Sequence, residues 1–144
     1  MERRLRILLL ALFLFTLFGA ATELLLTSHT DGWQLVPLIL LVLCVVALGW
    51  FAIVRNKTGF RLFQGVMVCC IISGAVGVLL HFNSNEEFAL EVYPGLAPLD
   101  LLWKSVKGAA PILAPGIMVQ LGVLGLGYSF EEKRYRDSEH SKET

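Results

Sequence analysis

Six ionisable side chains fall at one end of the apolar segments of this chain: Glu23, His29, Asp31, His81, Glu86 and Glu87. Imidazoles beside carboxylates can do two kinds of chemistry. They can hold a metal ion or a haem iron, or they can pass a proton. His29, His81 and Glu86 are the candidate metal ligands. Their spacing is not diagnostic: there is no H-x-x-x-H and no H-E-x-x-H, and a site needs three or four converging donors. Glu23 and His81 are the candidates for a paired, proton-carrying site. Each lies near the end of an apolar segment. An ionisable group inside a membrane segment costs about 2.5–3.5 kcal/mol for Asp at a helix centre, and less near an end. Such groups face the bundle and find a partner, so the two are expected to meet as an intramembrane polar pair. The remaining chemistry is thin. Cys44, Cys69 and Cys70 all lie in apolar segments without a C-x-x-C. That pattern argues against a disulfide framework or a thiol-redox enzyme and for small buried side chains. No catalytic constellation stands out, so neither an enzyme nor a cofactor is expected.

The elements that must position these residues are apolar runs. Of 144 residues 56% are hydrophobic and 17% charged, where a soluble domain carries about 25% charged residues. Runs near the ~20 residues that cross a bilayer cover about residues 7–26, 35–54, 62–81 and 109–128. The first follows the basic leader MERRLR and contains Gly19-Ala20-Ala21, which resembles a signal-peptide cleavage site. It resumes as Leu24-Leu25-Leu26, which favours a retained helix. The expected fold is therefore all-α: a four-helix transmembrane bundle over residues 1–130, with a polar tail, 131–144, that frays after Arg136. Pro37 and Pro111 suit first turns, and Pro115 is placed to bend the fourth span. Gly59 is expected to use positive φ in the 55–61 turn. Asp31 and Gln34 form a candidate capping box, as do Ser84 and Glu87. The second box predicts a short helix from Glu86 to Tyr93, ended by Pro94-Gly95. Residues 82–108 thus form a partly helical outer loop. Leu99, Leu102, Trp103 and Val106 recur at helical spacing and predict an amphipathic helix over about 98–107, lying in the membrane interface.

Charge sets the orientation. Ten of the twelve Lys and Arg residues fall in the N-terminus, the 55–61 turn and the tail. The positive-inside rule places both termini in the cytoplasm of a multi-pass protein of the cell (inner) membrane. Packing is read from small residues, since lipid tails are as apolar as leucine and helices associate where backbones can approach. Gly19, Ser73, Gly74, Gly77, Gly122 and Gly125 are the expected packing positions. They predict that spans one, three and four pack closely, with span two the most lipid-exposed, and that short links make spans one and two neighbours. Gln120 is expected to bond across the bundle. No basic, aromatic-interleaved surface suggests nucleic acid. The function class that follows is a small non-enzymatic integral membrane protein, an accessory or scaffold component whose partners are the lipid bilayer and another membrane protein or a second copy. A proton-coupled transporter using Glu23, or an outer-face metal or haem binder, are the alternatives.

Overall fold

A computed structural model describes residues 2–27, 32–54 and 56–143. Among them every regular element is helical: α1 (Glu2–Leu26), a 3-10 turn (Gly32–Gln34), α2 (Leu35–Val54), α3 (Lys57–Val92), α4 (Pro98–Val106) and α5 (Gly116–Glu143). Three of them, α1, α2 and α3, are long and apolar enough to cross a membrane. Their outward faces carry large apolar side chains such as Phe15, Ile39, Ile53 and Leu79. This is the build of a membrane protein, whose helices meet lipid rather than water. His29, Asp31 and Arg55 lie outside the described residues, and with Asp31 the first capping box.

The third span does not stop at His81. α3 continues unbroken to Val92, 36 residues in all, or roughly 54 Å by helix rise. Ser84 is therefore mid-helix and caps nothing. No Gly or Pro interrupts residues 78–92, so nothing in the backbone forces a break. The helix ends where Pro94 restricts Tyr93 and Gly95 turns the chain at φ +94°. At its start, Asn56 caps α3 by accepting the Gly59 N–H at 2.7 Å. Gly59 is helical rather than left-handed. Its small size matters for another reason: a Cβ there would meet the Trp50 ring at 2.9 Å.

The fourth apolar run also departs from expectation. The helix begins at Gly116, not near Ala109. Pro115 has no N–H to offer the Pro111 carbonyl, and its ring would crowd that carbonyl in a helix. Residues 111–118 instead turn through i to i+3 bonds. Ala114 donates to Pro111 O (3.1 Å), Gly116 to Leu113 O (2.9 Å), Ile117 to Ala114 O (3.2 Å) and Met118 to Pro115 O (3.0 Å). At its far end α5 does not fray at Arg136 but runs to Glu143. The segment is rich in Glu, Lys and Arg, good helix formers, and Arg136 Nε donates to Glu132 Oε1 at 2.9 Å, one turn back.

The helices pack in the order α1–α5–α3–α2, and α1 and α2 touch little despite their short link. The glycine face of α3 meets α5, not α1. A Cβ on Gly74 would meet the Pro115 carbonyl and the Val119 N at 2.8 Å, and one on Gly77 would meet the Pro115 ring at 2.7 Å. From the other side, Gly122 lies against Met67 O and Ile71, and Gly125 against the Met67 side chain. Gly19 does not pack: it is exposed, with nothing within 4 Å of its Cβ position. α2 is not the most exposed helix. It buries the same share of its apolar window as α1 and more than α3, through Leu41, Cys44, Ala47 and Phe51. Small residues let it approach α3, where the buried thiols of Cys44 and Cys70 stand 3.4 Å apart.

The core is uneven along the bundle. Toward the end carrying the α2–α3 turn, Phe51 stacks on Phe63 (5.5 Å between centroids), and Phe13 and Tyr128 meet Phe63 edge-on at 5.8 and 6.4 Å. These rings are essentially sealed from solvent. The same end is clamped by Glu132, which takes Arg6 from α1 and Arg136 from α5, each at 2.9 Å. Toward the opposite end the packing residues are small, and the core opens.

Candidate functional site

A cavity of about 360 Å³ lies at that opposite end, at the lower bound of small-molecule sites, which run about 300–1,000 Å³. Four elements wall it. α1 supplies Ala20, Glu23, Leu24 and Thr27; the 3-10 turn and the start of α2 supply Trp33, Gln34 and Pro37; α3 supplies Ser73, Gly77, Leu80 and His81. The fourth wall is the proline turn with the start of α5, from Pro111 to Met118. Its existence follows from the local chemistry. Ser73, Gly77, Ala20 and Ala114 fill little space, and the two prolines keep the chain from winding into a helix that would close the gap.

Glu23 and His81 line the same cavity, but they do not pair: no hydrogen bond or ion pair joins them. α1 and α3 each pack chiefly on α5 rather than on one another. His81 Nδ1 instead meets Pro111 O at 3.1 Å. A carbonyl only accepts, so Nδ1 carries the proton, and in the neutral ring Nε2 is left as an acceptor. The Glu23 side chain is exposed and makes no hydrogen bond or ion pair among the described residues. Of the metal candidates, His29 is outside the described residues, and Glu86 lies five positions past His81, about 140° around the helix. Among the described residues no three His, Cys, Asp or Glu side chains converge as a metal site would require.

Asn85, one turn beyond His81, does what the sequence did not suggest. It is 4% exposed and uses both its N–H donors and its oxygen. Its Nδ2 donates to Ser105 O at 3.0 Å and Ala110 O at 2.7 Å, and its Oδ1 accepts the Ala110 N–H at 3.0 Å. A Cβ on Gly108 would collide with the Asn85 side chain, so glycine there is a condition of the contact. Asn85 and His81 together hold the 105–111 segment against α3 and so fix the cavity's fourth wall. The signal was present: Cys70, Gly74, Gly77, His81, Asn85 and Ala89 form one stripe at spacings of three and four.

One further position differs from expectation, and the short helix α4 forms over Pro98–Val106 as its spacing suggests. Gln120 does not bond across the bundle; it is exposed on α5, without a hydrogen bond among the described residues. On α4, Leu99, Leu102 and Trp103 are at least half exposed while Ser105 is buried, so the apolar face of the short helix points away from the bundle. Lys104 caps the Tyr93 ring at 3.8 Å and Lys107 the Trp103 ring at 4.4 Å.

No family model matches the sequence, and no curated protein or solved structure is similar enough to be counted a relative.

Proposed function

We propose that this is a non-enzymatic integral membrane protein that crosses the bilayer four times with both termini in the cytoplasm, and that binds an amphiphilic ligand at its outer end. The observation that carries the reading is the cavity between α1, α2, α3 and the proline turn. Its walls are mostly apolar, with a carboxylate and an imidazole at the rim, the distribution that suits a molecule with a greasy body and a polar head. The fourth crossing is made by the proline turn together with α5. α4 then lies at the outer interface, its apolar face toward the lipid and its two lysines toward water. Ala114→Phe fills the cavity without touching the clamp. Purified in mild detergent, the native chain is expected to carry a bound amphiphile visible by native mass spectrometry, and Ala114→Phe to lose it at unchanged thermal stability. A native chain that is empty under these conditions overturns the reading.

A membrane-protein partner or a second copy is supported by a different observation, the exposed Gln120. A carboxamide in hydrocarbon gains about 1–2 kcal/mol from a hydrogen bond to another helix. Gln120→Leu is expected to shift cross-linked or co-purified complexes toward the single chain, measured by size exclusion with light scattering. The carrier alternative is less favoured, because the aromatic block from Phe13 to Tyr128 fills the half of the bundle beyond the cavity.

A further inference from the structure

Resting on the ligand-binding reading, the chemistry of the rim narrows the ligand: we infer that the cavity takes the primary ammonium headgroup of a membrane lipid. The fixed charge offered to the ligand is that of the Glu23 carboxylate, and the Thr27, Ser73 and Gln34 side chains can each accept a hydrogen bond as well as donate one. Glu23 presents a carboxylate with no partner among the described residues. The His81 ring, donating from Nδ1 to Pro111 O, keeps an acceptor at Nε2 in its neutral form. Gln34 adds a carboxamide, and the Trp33 indole, 85% exposed, lies at the mouth where a cation can sit over its face. No lysine or arginine lines the cavity among the described residues, so a ligand whose only charge is a phosphate or a carboxylate finds nothing to neutralise it. A primary ammonium gives three donors and one positive charge to these acceptors. A trimethylated one gives the charge but no donor.

The lipid source follows from the outer surface of α1. A shallow groove there is lined by Phe15, Phe18, Gly19, Thr22 and Leu26, and it shares Glu23 and Thr27 with the cavity. Its floor is Gly19, the glycine that packs against nothing. The groove continues the headgroup site along the lipid-facing surface, where an alkyl chain lies against phenylalanine rings. A soluble amine would leave it empty.

The test uses the full chain in nanodiscs, with phosphatidylethanolamine, phosphatidylcholine and phosphatidylglycerol in competition and bound lipid read by native mass spectrometry. Ethanolamine lipid is expected to be retained about tenfold over the other two, the discrimination of one charge-assisted hydrogen bond. Glu23→Gln is expected to abolish that preference while lipid is still held. Gly19→Leu, which adds bulk in open space, is expected to weaken long-chain ethanolamine lipid but not a short-chain analogue. Equal retention of the three lipids, or a preference that survives Glu23→Gln, overturns the ammonium assignment and leaves the cavity reading standing if Ala114→Phe still expels the lipid. Displacement of the lipid by millimolar free ethanolamine overturns the lipid source. Absence of any bound lipid in the native chain overturns both readings.

Discussion

At the scale of single residues, Asn85 holds more of the cavity end together than any ionisable group does. Its three hydrogen bonds join α3 to the end of α4 and to the start of the proline turn. Asn85→Leu leaves the Ala110 carbonyl and N–H without partners and the Ser105 carbonyl with only the Gly108 N–H at 3.4 Å, a loss of about 2–4 kcal/mol. We expect a lower thermal midpoint in detergent together with faster proteolytic nicking near Gly95, and an unchanged midpoint would show that the clamp contributes nothing. The sequence pointed instead to the titratable neighbours, and the reason is physical. Charge is costly in lipid, so Glu23 and His81 draw attention, whereas a neutral carboxamide is conspicuous only once its partners are known. Those partners are backbone groups some 20 residues away, which no side-chain pattern encodes. His81 has a partner other than Glu23, the Pro111 carbonyl. The partner is a carbonyl that Pro115 cannot engage, and a proline's missing N–H is legible only when the two turns are seen side by side.

At the scale of elements, hydrophobic length was readable, and so were helix ends where the apolar run and the helix stop together, as at Leu26 and over Leu35–Val54; the end of α3 and both ends of α5 were not. The apolar runs of α1 and α2 correspond to continuous helices, because nothing inside them competes with the helical backbone. α3 outran its apolar run because helix continuity depends on the backbone, not on what surrounds it, and residues 82–92 are helix-compatible in water. α5 started late because two prolines four apart, Pro111 and Pro115, prevent the first turn from closing. The glycines were recognised as approach points, but which helix approaches which was not, since small residues mark a face without naming its partner. That contact yields a graded expectation. Gly122→Ala must push against the Met67 carbonyl at 2.5 Å, whereas Gly125→Ala meets chiefly the flexible Met67 thioether. The first substitution is expected to cost about 1–3 kcal/mol as overpacking, and the second less, in parallel thermal melts. Equal losses would mean that the backbone spacing between α3 and α5 yields as easily as a side chain.

At the scale of the whole molecule, the charge asymmetry and the structure make one statement testable at once. The basic end carries the Glu132 clamp and the aromatic block, and the opposite end carries the cavity, the extension of α3 and α4. If the basic end is cytoplasmic, a fluorescent protein fused after Glu143 is bright and a periplasm-dependent phosphatase inserted at Leu96 is active. The reverse pattern would put the cavity on the inner side. Among the described residues three helices are long and apolar enough to cross a membrane, and the fourth apolar run is divided between a non-helical turn and α5. The aromatic block carries a consequence for how such a site would behave. Phe13, Phe51, Phe63 and Tyr128 line no part of the cavity but fill the bundle between it and the basic end. A ligand bound as proposed would be exchanged at the cavity end alone, so the molecule would equilibrate with a single leaflet. Its occupancy would record the composition of that leaflet and stay blind to the other, which makes the chain a one-sided gauge rather than a passage.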